Sequence, residues 1–278
     1  VASTSEPAAA ARGGGLTRRR RRRLVLGGEY GVFVIAVGLA IALADWHALH
    51  INFLNWSVAR DLFPDIITIG LRNTVAFTVS GFVLGLVGGL VIALMRLSSA
   101  LPFRWFAMAY IEVFRGLPAL LIFIFVGTGI PLAFPGFELP GGVYGQAAVS
   151  LGLVAAAYMA ETIRAGIEAV PRGQTEAARS LGMSQFRAMR TIVIPQALRV
   201  VIPPLTNELV LLFKDSSLAL FLGVLLSQRE LTKFGRDAAS QLGNTTPILV
   251  AGLCYLLITI PLGYLARRLE ARQKRGRR

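Results

Sequence analysis

The chain of 278 residues is 54% hydrophobic and 16% charged, where soluble globular domains run at about 45–50% and about 25%. With a mean hydropathy of +0.61, this excludes an ordinary soluble enzyme. The net charge of +14 would suit a nucleic-acid binder, but its placement and the lack of interleaved aromatic residues for base stacking argue against one.

The charge lies in two tails. Arg12 and Arg18 to Arg23 fill the tail 1–23, and Arg267, Arg268, Arg272, Lys274, Arg275, Arg277 and Arg278 fill the tail 267–278. Basic residues that flank apolar runs mark the cytoplasmic side, where they meet anionic membrane lipid. The first apolar run, 24–44, reads as an extra transmembrane helix. Its ending, Ala42-Leu43-Ala44, also resembles a secretory cleavage site, but the run is long for a signal and Glu29 interrupts it. An extracytoplasmic connection, 45–69, follows. It holds His47 and His50, which lack a third ligand, so no metal site is expected.

Five more runs of about twenty apolar residues fall at 70–95, 105–131, 143–165, 203–226 and 247–266. The expected fold is all-α, a polytopic bundle of about six transmembrane helices. Six crossings put both termini on the cytoplasmic side. In that scheme Arg60, Arg72, Arg229, Lys233 and Arg236 lie outside, Arg115 and Lys214 lie within spans, and every other Lys and Arg is cytoplasmic. Trp46, Trp56 and Trp105 fall near the interfaces. Gly81, Gly85 and Gly89, four apart, form a stripe for close helix packing. Cys254 has no cysteine partner and reads as a small buried hydrophobe. No repeat with a period of 20–50 residues stands out.

Charged residues inside the spans are costly, about 2.5–3.5 kcal/mol each on insertion scales. Lys214 and Asp215, near the middle of the fifth run, must pair, line a watery path, or hold helices in register. Glu112 with Arg115, and Glu161 with Arg164, are three apart and can form local ion pairs.

The longest cytoplasmic connection, 166–202, reads GIEAVPRGQTEAARSLGMSQFRAMRTIVIPQALRVVI. Pro171 and Gly173 are expected to break the fourth helix, with a short helix from Thr175 as N-cap to Leu181, closed by Gly182. A second helical run, from Ser184 to Ile194, should lead to Pro195. A short helix between two turns is a docking element rather than a catalytic one.

Glu176-Ala177-Ala178, then Gly182, Ile192 and Ile194-Pro195, resemble the EAA signature of permease subunits of ATP-binding-cassette importers, with Ile194 where Leu is usual. Tyr110-Ile111-Glu112-Val113-Phe114-Arg115-Gly116-Leu117-Pro118 is similar to the YxExFRGTP of the polar amino-acid branch. Ala157-Tyr158-Met159-Ala160-Glu161 with Arg164, and Val170-Pro171-Arg172-Gly173-Gln174, resemble its GAYxAExxR and VPxGQ. Pro195 to Arg199, Pro203-Pro204, Asn207 and Lys214-Asp215-Ser216-Ser217-Leu218 resemble its PQALR, PP, N and KDTSL. Leu117, Ala156 and Ser216 depart from the usual residues. The resemblance covers a permease core of 70–266.

That resemblance implies a bacterial plasma- or inner-membrane transport subunit for a polar amino acid, not an enzyme. Its EAA loop would dock on a separate cytoplasmic ATPase dimer, which would hold ATP and Mg. No Walker A sequence occurs in this chain, so no cofactor is expected here. A second permease copy or paralogue and an extracytoplasmic solute-binding protein are the other implied partners. Glu176, Ala177, Ala178, Gly182, Ile192 and Pro195 are the coupling candidates. Glu161, Arg164, Asn207, Lys214 and Asp215 are candidates for the pathway or substrate, with Glu161 first because a carboxylate suits a substrate ammonium. An ion-coupled secondary transporter would also place charges in its spans, but it predicts inverted repeats and has no use for the EAA loop.

Overall fold

The structure is a computed structural model that describes residues 18–275; Arg12, Arg277 and Arg278 of the basic tails lie outside them. The chain divides into two units, Val1–His50 and Ile51–Arg278.

In the first unit, α1 (Arg18–Leu43) carries the apolar run Leu26–Leu43. Val32, Phe33, Val34 and Ile35 point in successive directions and all are exposed. A helix apolar all round has lipid as its solvent. At its end Trp46 donates from its indole to the Ile41 carbonyl at 2.8 Å, and the Asp45 carboxylate accepts the Ala48 N–H at 2.9 Å, starting α2 (Trp46–Phe53).

The second unit opens with α3 (Trp56–Asp61), whose first turn is capped by the Asn55 side chain accepting from the Val58 N–H. A π-helical turn, Ile66–Leu71, feeds α4 (Arg72–Leu97), and together they make one long apolar run. Then come α5 (Leu101–Gly116), α6 (Ala119–Ile124), a π turn Phe125–Gly129, α7 (Ile130–Ala133) and α8 (Val143–Glu168). After the short α9 (Arg172–Ser180) and α10 (Gln185–Ala188), a third π turn, Met189–Val193, runs into α11 (Ile194–Asp215). A 3-10 segment Ser216–Leu222, α12 (Leu231–Leu242) and α13 (Thr246–Arg275) complete the fold. No strand occurs among the described residues.

Among the described residues five runs are long and apolar enough to cross a membrane, and a sixth exists only as a pair bent by 104°, Leu101–Gly116 with Ala119–Ala133. The third expected span, 105–131, is therefore broken, and Arg115 sits at the break. Pro118 is the cause: the residue before a proline is pushed out of the helical region, and Leu117 has φ −87° and ψ 140°. The fifth expected span, 203–226, is also corrected. The apolar run is Gln185–Leu222, because the helix passes through Pro195, Pro203 and Pro204 instead of starting after them. The π turn ahead of Pro195 takes up the missing N–H, and prolines inside membrane helices are tolerated where neighbours satisfy the freed groups.

Helix α8 is the centre of the second unit. More than half of its span is buried, and the sequence allows this because Ala147, Ala148, Gly152, Ala155, Ala156, Ala157 and Ala160 let neighbours come close. The glycine stripe of α4 meets it in register: Gly81 faces Leu151, Gly85 faces Ala155 and Gly89 faces Met159. The constant difference of seventy residues means the two helices run parallel. Beside this seam Phe77, Phe123, Leu151, Met159, Leu212 and Leu222 form the main core. Helix α11 crosses α8 at Gly166, where an added Cβ would stand 2.1 Å from Val201 Cγ2.

Candidate functional site

Three residues lie between α8 and α9 and four between α9 and α10, so the chain forms a compact loop at one end of the bundle. Helix α9 begins at Arg172, three residues before the expected cap at Thr175, which instead lies inside it. Pro171, with φ −59°, precedes the first turn and its carbonyl accepts the Gln174 N–H at 3.0 Å. Proline has no N–H to orphan at that position, and Gly173 in an exposed first turn does not break the helix. The expected end at Gly182 is present, with φ +83°. The Gly182 N–H bonds the Arg179 carbonyl at 2.9 Å and the Met183 N–H bonds the Ala178 carbonyl at 3.1 Å. This pair is the Schellman closure, which requires a left-handed residue after the helix.

Burial separates the two alanines of the motif. Ala178 is buried within the chain, whereas Ala177 and Glu176 are exposed; α9 packs against α10 and the π turn Met189–Val193. Ser184 caps α10 through its hydroxyl, which accepts the Arg187 N–H. Ile192 is half-buried in that π turn and its carbonyl accepts the Gln196 side-chain amide at 3.0 Å, while Pro195 is exposed at the start of α11. Two apolar side chains at this polar tip have almost no cover: Leu181 is 83% and Phe186 is 75% exposed.

A second group lies on α8. Arg164 grips Glu161 with two hydrogen bonds, Nη2 to Oε2 at 2.8 Å and Nε to Oε1 at 3.2 Å, and reaches Glu168 through Nη1 at 2.6 Å. The expected Glu161–Arg164 pair is thus bidentate, and both carboxylate oxygens of Glu161 are engaged. The expected Glu112–Arg115 pair is absent: Glu112 is exposed, and the Arg115 guanidinium lies over the Tyr158 ring at 5.2 Å.

The third group is on α11. Asn207 and Lys214 are exposed and Asp215 is half-buried. They are seven or eight residues apart, so they share one helix face. Leu211, also exposed, lies between them. Glu208, half-buried and seven residues before Asp215, belongs to the same face. It escaped the sequence reading because it falls outside the quoted motifs, although the two-turn spacing to Asp215 was visible. No ion pair joins Glu208, Lys214 or Asp215 to another described residue. Because α8 and α11 run antiparallel from the Gly166–Val201 crossing, Glu161 lies at the height of Asn207, and Lys214 is about 10 Å further along.

At the opposite end from α9, sequence reasoning missed a buried polar lock. Asn73 donates to the carbonyls of Ser227 (2.9 Å) and Arg229 (3.0 Å) and accepts from the Tyr144 hydroxyl (2.6 Å). Thr74 Oγ1 accepts the Leu231 N–H at 3.0 Å. Glu230, with 0% exposure, caps α12 by accepting the N–H groups of Thr232 and Lys233, both at 2.6 Å, and the Tyr255 hydroxyl at 2.8 Å. Three donors to one carboxylate satisfy a buried charge. Among the described residues no cluster of three or more His, Cys, Asp or Glu could hold a metal.

A helical bundle with several membrane-length runs, a capped loop at one end and unpaired polar residues along an inner helix defines a polytopic membrane transport component. Residues 81–275 match the family described as binding-protein-dependent transport system inner membrane component, and the chain belongs to that family. It is 36% identical over 241 residues to the arginine transport system permease protein ArgU of Corynebacterium glutamicum, covering 81% of this chain and 75% of that one. To the arginine transport system permease protein ArtQ of Bacillus subtilis it is 34% identical, covering 80% and 98%. To the glutamate/aspartate import permease protein GltK of Escherichia coli it is 34% identical, covering 78% and 97%. A solved structure described as an amino acid ABC transporter with histidines superimposes with a TM-score of 0.68 at 33% identity, over 80% of this chain and 99% of that one. The MetNI methionine transporter shares the fold, with a TM-score of 0.58 at 21% identity.

Proposed function

We propose that the chain forms the translocation pathway of an ATP-driven importer for a polar amino acid. Both termini and α9 are cytoplasmic in this reading, α9 couples to a separate ATPase dimer holding ATP and Mg, and a solute-binding protein delivers substrate from outside. The observation that carries the reading is the α9 loop: a Schellman-closed short helix followed by exposed Leu181, with exposed Phe186 beside it on α10, makes an apolar tip without a partner in this chain, which suits a docking surface. Glu176, Ala177, Gly182, Ile192 and Pro195 build it, and buried Ala178 fastens it to the chain.

The unpaired face of α11 supports a pathway completed by a second permease copy or paralogue. Charges on a membrane helix face water or another helix rather than lipid, so Asn207, Glu208, Lys214 and Asp215 face the path or the partner copy. Relatives of nearly equal identity are named for arginine and for glutamate/aspartate, so the class is a polar amino acid with the sign of its charge left to local contacts. Glu161, with Arg164, is a candidate for the substrate ammonium. Family membership displaces the ion-coupled alternative.

Uptake of labelled amino acids, competed by amino acids, sugars and peptides, tests the class; competition by sugars or peptides alone would overturn it. Orientation is tested with Cys254 replaced by Ser and single cysteines placed at Ser57, Ser240 and Thr175. An impermeant thiol reagent should label the first two in intact cells, and labelling of the third alone would reverse the orientation.

A further inference from the structure

Where α8, α11 and α13 leave the apolar layer on the α9 side, they enclose a groove of about 920 Å³ whose lining includes Arg199, Val200, Ile202, Pro203, Leu269 and Arg272. Its charged lining is two arginines with no carboxylate. Neither Arg199 nor Arg272 has an ion pair among the described residues. The carboxylate just before the groove, Glu168, is engaged by Arg164. Pro203 and Pro204 have no N–H to offer the carbonyls of Arg199 and Val200, so the groove wall also presents backbone acceptors. Beside it, Leu198, Ile202 and Leu265 are exposed apolar side chains, and the sequence of α13 changes there from apolar to basic.

We propose that this groove binds the phosphate of an anionic phospholipid, with Arg199 and Arg272 as the phosphate ligands. The chemistry selects the ligand. Guanidinium groups bind phosphate oxygens through charge-assisted hydrogen bonds. The carbonyls left by the two prolines suit a head group that also carries hydroxyl donors, as phosphatidylglycerol does. The acyl chains would lie along Leu198, Ile202 and Leu265. A soluble phosphate ester would make no use of that apolar border. None of the pathway candidates lines the groove, and it gives Arg199, which the coupling reading leaves without a role, a ligand.

The test is native mass spectrometry of the full chain, purified from membranes with its bound subunits, stripped of lipid, and titrated with phosphatidylglycerol or with phosphatidylcholine of the same acyl chains. One phosphatidylglycerol should bind per copy at least about tenfold more tightly than phosphatidylcholine, because both carry the phosphate but choline sets a second cation beside the two arginines and has no hydroxyl to donate to the carbonyls. Arg199→Gln with Arg272→Gln should abolish that preference. Arg267→Gln with Arg268→Gln, an equal loss of charge outside the groove lining, should keep it. Arg272→Gln alone, at the exposed end of α13, should weaken binding and keeps the test open if the double variant fails to fold. Equal binding by the groove variant and the unaltered chain would overturn the proposal, as would equal loss in both double variants. Displacement of the lipid by equimolar glycerol 3-phosphate would assign the site to a free phosphate ester instead. Absence of lipid binding in the assembled complex would mean that a protein subunit covers the groove.

Discussion

A Cβ built on Gly85 would stand 2.6 Å from the Cβ of Ala155, closer than two methyl groups approach. The α4–α8 seam therefore depends on the absence of a side chain. Gly85→Ala should cost about 1–3 kcal/mol through overpacking, read as a lower thermal midpoint by tryptophan fluorescence and less protein in the membrane. Removing the opposing methyl should relieve the clash, so Gly85→Ala with Ala155→Gly should recover most of the loss, a coupling that only contacting residues show. An unchanged midpoint in Gly85→Ala would mean the helices do not approach this closely.

Glu230 predicts a dependence on pH. Burial pushes its carboxyl above the ordinary value of 4.5, and the N–H of Thr232, the hydroxyl of Tyr255 and the N–H of Lys233 pull it back only in part. A carboxyl whose native pKa lies above its unfolded one binds its proton more tightly when folded. Its penalty is therefore full above the native value and is relieved as the pH falls toward 4.5. The thermal midpoint of the unaltered chain should rise relative to that of Glu230→Gln across this window. A parallel pH response in the two would show that Glu230 does not titrate as a buried group. Glu230→Ala, which orphans two N–H groups and a hydroxyl, should lose about 1–3 kcal/mol at every pH.

The membrane runs, the glycine stripe and the turn at Gly182 were legible because each depends on local properties: apolar length, fourfold spacing, and a glycine where positive φ is needed. The bend at Leu117–Pro118 was equally local, but a hydropathy window averages over a proline and reads one span. The continuation of α11 through three prolines was not legible, since it depends on the π turn at Met189–Val193 and on neighbours that stabilise it. The lock of Asn73, Tyr144 and Glu230 joins residues up to 156 positions apart, which periodicity does not reveal. Glu208 lay in reach of spacing and was hidden only by attention to motifs.

Glu161 and Arg164 make a prediction that separates two roles. If the carboxylate serves mainly to hold Arg164, then Glu161→Gln should lower stability slightly, by less than about 1 kcal/mol as for partly exposed pairs, with the apparent affinity for substrate unchanged. A direct contact to a substrate ammonium should instead raise the concentration for half-maximal uptake by at least about tenfold, with little change in maximal rate. The bidentate geometry favours the first result, and Arg164→Lys, which keeps the charge but not the fork, should reproduce it.

The coupling loop carries the last prediction. Gly182 has φ +83° with open space around it, so a side chain there is opposed by backbone strain and not by contact. Gly182→Val should cost about 1–3 kcal/mol locally and loosen the two bonds that close α9. Gly182→Asn, which tolerates left-handed geometry better, should be milder. Ala177 and Ala178 then divide the question. Ala178 is buried, so Ala178→Trp should disrupt the loop itself and lower the amount of folded protein. Ala177 is exposed, so Ala177→Trp should leave the chain folded and inserted and act only where α9 meets another subunit. Membrane abundance, uptake and recovery of the ATPase on purification should therefore separate the two: Ala177→Trp present at normal levels but deficient in uptake and in ATPase recovery, Ala178→Trp deficient in all three. Normal uptake by Ala177→Trp and Gly182→Val together would mean that α9 is not where energy enters the permease.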